Sequence, residues 1–270
     1  TDGSDQSVKV VETAVALACS LSASIRFLHV IDVKLLEAPF FKDLTALAGS
    51  GLAVPVVYPD LARLLNQRGE LALDMARKAA EKEGVPCDTR LVTGVVGRCI
   101  CEEAALCDLV VLGRTGENRK WVEGNLGSVT TSVTRHASTP VMVTGDTVHF
   151  DDDAPMLVAF DASIPARKAL KTAVSLVQQW KRHIIVLTVG RASRIVAEEA
   201  EGYVGDHGIQ ADFIQLQGDP AEQIVKTSRD YGVSVVVMGA FGHGRLRELM
   251  LGSTTFYVLE HVQTSLLLVR

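Results

Sequence analysis

No Cys-x-x-Cys pair, no Walker-type lysine loop, no apparent Ser-His-Asp arrangement and no apolar run longer than a strand occurs in these 270 residues. The first absence removes the usual thiol-disulfide and zinc signatures. The second and third remove the P-loop route to phosphoryl transfer and triad acyl chemistry. The last leaves no helix able to span a membrane. A signal-peptide pattern is also missing, and five cysteines, an odd number, suit a reduced, cytoplasmic chain. They fall in the first half, and the cluster "RCICEEAALC" reads as small core residues on a helix rather than as metal ligands. A formal charge of -5 argues against nucleic acid as the main partner, since no basic stripe offsets it. With 47% hydrophobic and 22% charged residues, the chain suits one large or two ordinary globular domains without disorder.

What is present is a repeat. "TDGSDQSVKVVETAVALACSLSASIRFLHVID" aligns without a gap on "FDASIPARKALKTAVSLVQQWKRHIIVLTVG", pairing Asp2 with Asp161, Ser4 with Ser163 and Val30 with Val189. "VTGVVGRCICEEAALCDLVVLGRTG" aligns on "LQGDPAEQIVKTSRDYGVSVVVMGAFG", pairing Gly94 with Gly218 and Gly113 with Gly239. The first half carries about 35 extra residues between these blocks, an insert spanning about 34–83. The boundaries that follow are a first domain over 1–146, a linker over 147–154 and a second domain over 155–270, the acidic run and proline of "GDTVHFDDDAP" marking the join. Thr1 aligns near the end of the "MLVAFD" strand, so the first domain is expected to lack most of its first strand.

Each half alternates strands with helices. "MLVAF", "HIIVLTV", "ADFIQLQ", "VSVVVMG" and "SLLLVR" read as buried strands, and Ala169, Leu170, Ala173, Val174, Val177 and Trp180 recur at helical spacing. The fold class is therefore α/β: two repeated domains, each a mainly parallel five-stranded sheet with helices on both faces. Ligands of such sheets bind at the carboxyl ends of the strands. There the second half places "GAFGHGRLRELMLGS", with Gly239, Gly242, Gly252 and Ser253. Glycine admits close approach to the main chain, and a helix opening at Gly252-Ser253 favours an anion. Ser253 is read as both helix cap and phosphate donor. The spacing alone also fits tight turns and an ordinary cap.

Asp161 ending the first strand, Val189 ending the second, Gly218-x-Pro220 after the third and Gly239-x-x-Gly242-x9-Gly252-Ser253 after the fourth converge on one sheet edge. Together they resemble the universal stress protein family, over the whole chain twice, as in its tandem members. The resemblance implies a Rossmann-like, adenine nucleotide alpha hydrolase-like fold and an ATP-, ADP- or AMP-sized ligand, accompanied by Mg or Mn. It implies that Asp161 and the Val189 backbone hold the adenine, that Gly239 lies at the ribose, and that Gly242, Gly252, Ser253 and Thr254 hold the phosphates. In the first half Asp2, Val30, Gly113, Gly116, Gly127, Ser128 and Val129 stand in the same places, but ten residues separate Gly116 from Gly127 against nine between Gly242 and Gly252. The resemblance also implies that the last strands, "PVMVT" and "SLLLVR", pair across a two-fold axis. Further association into a homodimer is left open.

Several charged groups flank these glycines. Arg114, Arg119, Lys120, Arg245, Arg247 and His243 read as solvated loop side chains, with contact to a terminal phosphate as the alternative. Glu117, Glu123 and Glu248 read as solvent-facing, so the chain is taken as a nucleotide-dependent regulatory module with an unknown protein partner. The alternatives are a slow ATP-hydrolysing or adenylating enzyme and a nucleotide-free structural scaffold. The insert, apolar and broken by Pro39, Pro55 and Pro59, reads as a loop and helix packed on its own domain or its partner half, with a lid or docking surface as the alternative.

Overall fold

The computed structural model describes residues 1–36, 58–116, 126–145, 153–180, 182–190, 193–240 and 252–270. In the second half the order is β5 (Met156–Ala159), α6 (Ile164–Trp180), β6 (Ile184–Val189), α7 (Ser193–Asp206), β7 (Ala211–Leu216), α8 (Pro220–Asp230), β8 (Val235–Gly239), α9 (Ser253–His261) and β9 (Ser265–Val269). The first half runs α1 (Asp5–Leu21), β1 (Ile25–Asp32), α2 (Val33–Leu36), α3 (Tyr58–Lys82), β2 (Cys87–Gly94), α4 (Val96–Ala104), β3 (Val110–Gly113), α5 (Ser128–His136) and β4 (Val141–Thr144). β5 is flanked on both edges, by β6 and β8 in parallel, and its Met156, Leu157 and Val158 are wholly buried. A strand covered on both faces has no polar side to show, which is why "MLVA" carries no alternation. The buried stripe of α6 is Ala166, Ala169, Leu170, Ala173, Val174 and Val177, the helical spacing seen in the sequence.

Seven strands form one sheet in the order β3-β4-β9-β8-β5-β6-β7. The halves meet at β4 and β9, which pair antiparallel with Val141 opposite Leu268, Met142 opposite Leu267 and Val143 opposite Leu266. This is the junction expected of "PVMVT" and "SLLLVR". All six side chains are buried, each worth about 1.5–3 kcal/mol of transfer free energy, so the junction is a continuous core rather than a docked surface. Two arginines cross it in reciprocal fashion. Arg114 donates to the Glu260 carbonyl near the end of α9 at 3.4 Å, and Arg270 donates to the Ala137 carbonyl that ends α5 at 3.0 Å. Cations there meet the negative end of a helix. Arg114 is thus a junction residue, which corrects its reading as a solvated or phosphate-seeking loop side chain.

The first half departs from the expected five-stranded sheet. Among the described residues its four strands fall in two pieces, β3-β4 within the large sheet and β1-β2 as a separate parallel pair. Among the described residues β1 and β3 share no strand partner, whereas β6 and β8 both pair with β5. α3 covers the separate pair, packing Leu73, Ala76 and Ala80 against Phe27, Val11 and Val15. It occupies the place of α7, so the helix belongs to the repeat and not to the insert. Pro39 and Pro55 lie outside the described residues.

A small difference between the halves sets a stability prediction. Asp219 caps α8, its side chain accepting from the Ala221 and Glu222 amides at 2.9 and 3.1 Å, with Pro220 in the first turn. The counterpart cap of α4 is Val95, extended at φ -78° and ψ 113°, which offers no side-chain bond. Val95→Asp is expected to stabilise the first half by about 1 kcal/mol, measured by urea unfolding.

Candidate functional site

Each half turns from its first strand position into its first helix through Asp-x-Ser. Asp2 accepts from the Ser4 amide at 2.9 Å and from the Ser4 hydroxyl at 2.6 Å, and Asp161 accepts from the Ser163 amide at 2.9 Å. Ser4 in turn accepts from the Ser7 amide at 3.3 Å, and Ser163 from the Ala166 amide at 3.2 Å. The intervening residue is left-handed in both, Gly3 at φ +77° and Ala162 at +59°. An alanine there costs about 1–2 kcal/mol, so the surrounding bonds hold the turn against its own preference. The turn leaves each carboxylate at the carboxyl edge of the sheet, with one oxygen engaged in the turn.

Two helices begin at that same edge, each after a glycine. Gly127 is the cap residue of α5 and Gly252 that of α9, and neither cap makes a side-chain hydrogen bond. Ser128 and Ser253 are the first helical residues, so the expectation that Ser253 caps its helix is corrected: glycine holds the cap position. The first amides of α5 and α9 therefore lack the side-chain acceptor that Ser4 gives α1 and Asp219 gives α8. Unmet donors at the positive end of a helix define an anion site. Among the described residues beyond its chain neighbours, a Cβ on Gly252 would come no nearer than 3.9 Å, to the Thr255 hydroxyl oxygen.

The first site is the better described of the two. Gly127 donates to the Arg114 carbonyl at 2.9 Å, and a Cβ on it would sit 3.7 Å from the Gly116 nitrogen. The extra residue in this half therefore does not separate the glycines. A Cβ on Gly116 would lie 2.8 Å from an Asp2 carboxylate oxygen, so the strand-end aspartate and the glycine loop converge. Thr130, which the sequence reading passed over, is buried and donates to the Gly113 carbonyl at 2.8 Å, tying α5 to the end of β3. Its counterpart Thr255 is buried as well. The signal was the threonine shared by "GSVTT" and "GSTTF". Gly113, Gly116, Gly127, Ser128 and Val129 all line one cavity of about 460 Å³ that also reaches Asp2 and Val30.

In the second half, Asp161, Val189, Gly239, Gly252, Ser253 and Thr254 occupy the matching strand ends and helix start. Gly242, His243, Arg245, Arg247 and Glu248 lie outside the described residues, as do Glu117, Arg119, Lys120 and Glu123. Gly239 has a packing reason of its own. A Cβ there would be 2.7 Å from the Pro165 carbonyl carbon and the Ala166 nitrogen, in the first turn of α6. The cluster is only partly core: Cys99, Cys101 and Cys107 are half-buried, Cys101 packing against the core, while the buried residues of α4 are Gly97 and Ala104; Cys19 is exposed and Cys87 half-buried. All five are free thiols.

His29 sits beneath the first site, buried in β1 with Nδ1 at 3.0 Å from the Thr1 carbonyl oxygen. Burial, followed by the Thr1 amine, lowers its pKa from the usual 6.5, Arg68 adding to the effect while the Thr1 bond and Asp2 oppose it. The folded state thus prefers neutral His29. Its contribution to stability is complete above about pH 6.5 and is lost as pH falls toward the lowered folded value. Thr188 holds the equivalent place in β6, also buried. His29→Thr is expected to flatten the loss of first-half stability as pH falls below about 6.5, read from urea midpoints across pH.

A tandem, mainly parallel α/β protein, with a glycine-capped helix start and an aspartate turn at the strand ends of each half, is the class these features define. The chain belongs to the universal stress protein family, whose profile matches residues 1–145 and 190–270. A universal stress protein of Synechocystis is 29% identical over 284 residues, an alignment covering 100% of this chain and 98% of that protein. One from Bacillus subtilis is 31% identical over 144 residues, covering 43% of this chain and 97% of its own. The crystal structure of a universal stress protein from Archaeoglobus fulgidus has the same fold, with a TM-score of 0.79 at 21% identity, covering 100% of this chain and 96% of that one. No described helix is long and apolar enough to cross a membrane.

Proposed function

We propose that the chain is a nucleotide-dependent regulatory module that binds an adenine nucleotide at the strand-end edge of each half. The observation that carries this reading is the pair of glycine-capped helices, whose cap residues offer their first amides no side-chain acceptor, each beside an aspartate turn. Asp161 and the Val189 backbone take the adenine, and Gly242, Gly252, Ser253 and Thr254 take the phosphates. Asp2, Val30, Gly113, Gly116, Gly127, Ser128 and Val129 do the same in the first half. The residues fit such a ligand: the cavity in the first half brings Asp2 and Val30 together with Gly116, Gly127 and Ser128 at its strand-end rim. A divalent cation, Mg or Mn, accompanies the phosphates. Occupancy sets the surface that a protein partner, or a second copy of the chain, reads.

The test is thermal unfolding with ATP, ADP, AMP and GTP. A ligand at about a hundred times its Kd adds about 2.7 kcal/mol to stability. Adenine nucleotides are expected to raise the midpoint and GTP to leave it unchanged. An equal shift with GTP, or none with any nucleotide, would overturn the reading.

A further inference from the structure

The outer face of α3 is apolar where its counterpart in the second half carries charge. Leu64, Leu71 and Met75 are 61%, 62% and 56% exposed, and Val8 of α1 is 43% exposed. Counting back from Gly84 and Gly208, the left-handed glycines that follow α3 and α7, pairs Met75 with Glu199 and Leu71 with Ile195. The alignment of the first helices pairs Val8 with Arg167. In the second half these places hold a two-bond ion pair, Arg167 donating to the Glu199 carboxylate oxygens at 2.6 and 2.8 Å. Water suits that pair. Valine and methionine in the same places gain nothing from solvent, and together with Leu64 and Leu71 they make a continuous apolar stripe of the kind that marks an interaction surface.

The same face carries a charge pattern that selects its partner. At 3.6 residues per turn, Asp60, Leu64, Leu71, Met75, Lys78 and Lys82 fall within about 60° of arc on α3. An acid opens the stripe, three apolar side chains fill its middle and two lysines close it. Reversed end for end, this stripe complements itself. An antiparallel copy sets Leu64 against the partner's Met75, brings the two Leu71 side chains to the axis and lays Asp60 between Lys78 and Lys82 of the partner subunit. A parallel copy would set acid on acid and lysine on lysine. Within its own chain Lys78 reaches Asp74 at 2.7 Å and Lys82 reaches Glu83 at 3.7 Å, exposed pairs of the kind that cost little to rearrange.

We propose that the outer face of α3, with Val8 on the helix packed beside it, is an interface between two copies of this chain, α3 against α3 antiparallel about a two-fold axis. A self-complementary contact of this kind closes at two subunits. Burial of the leucines and methionine supplies the affinity, and the pairing of Asp60 with the lysines sets the direction. The interface makes no use of nucleotide, so failure of the nucleotide reading leaves it standing.

The experiment is sedimentation equilibrium of the full chain, without nucleotide, from about 1 to about 100 µM. The parent is expected to be dimeric at the upper end. Leu71→Lys sets two ammonium groups at the axis and is expected to weaken the dimer about 100-fold, while Ile195→Lys, at the 75% exposed counterpart on α7, leaves it unchanged. Asp60→Lys is expected to weaken the dimer about 10-fold at low salt and by less at about 1 M salt. A parent that stays monomeric overturns the proposal, as does a dimer that Leu71→Lys leaves intact or that Leu71→Lys and Ile195→Lys weaken equally. Indifference to Asp60→Lys at low salt overturns the antiparallel arrangement.

Discussion

Gly252→Val is expected to weaken adenine-nucleotide binding at the second site about 100-fold while leaving the fold in place. The backbone at Gly252, φ -59° and ψ 151°, is open to any residue, and among the described residues beyond its chain neighbours a Cβ there would approach Thr255 alone, at 3.9 Å. The branched side chain instead fills the space in front of the helix amides. Losing two charge-assisted bonds to a phosphate removes about 3 kcal/mol, which is about 100-fold in Kd. Calorimetric titration with ATP measures this directly. Gly127→Val is expected to do the same to the first site alone. If both variants bind two nucleotides with parental affinity, the glycine-capped helices are not the phosphate sites.

Gly145→Ala is expected to produce the largest loss of stability, about 3 kcal/mol, and to act at the junction between halves. Gly145 follows β4, and a Cβ there would lie 2.2 Å from the Gln263 carbonyl oxygen and 2.4 Å from the Thr264 carbonyl carbon. These are backbone atoms beside β9, so no side chain can swing away. Accommodation requires the β4–β9 pair to part, and overpacking of this kind costs about 1–3 kcal/mol or more. Its amide bond to the Ser265 hydroxyl, at 3.3 Å, would go with the displacement. Urea unfolding of Gly145→Ala against the parent measures the effect, and a change below about 0.5 kcal/mol would mean that the junction is softer than its packing implies.

The order of elements was legible because apolar strand runs such as "HIIVLTV" and helical spacing such as Ala169, Ala173 and Val177 are local patterns, and the repeat supplied each twice. The pairing of β4 with β9 was legible only through the family resemblance, since nothing local distinguishes an antiparallel partner. What escaped the sequence depended on the third dimension. Arg114 was read as a loop cation because its acceptor, the Glu260 carbonyl, is brought near by that antiparallel pairing. Gly239 was read as a ligand glycine, and the sequence did not show the further packing reason for it, the closeness of Pro165 and Ala166 in the first turn of α6. Ser253 was read as a cap because serine caps are common, and the extended backbone falls one residue earlier, at Gly252. Nothing in the sequence showed that β1 and β2 would pair apart from the seven-stranded sheet.

The claim at the centre of this account is that each half holds an adenine nucleotide at its strand-end edge. The most direct measurement is to denature protein purified without added nucleotide, then identify and count what is released per chain, alongside Gly252→Val and Gly127→Val. The account expects about two adenine nucleotides per chain, one lost with each substitution. Release of none, followed by failure of the same protein to take up added ATP, would contradict it.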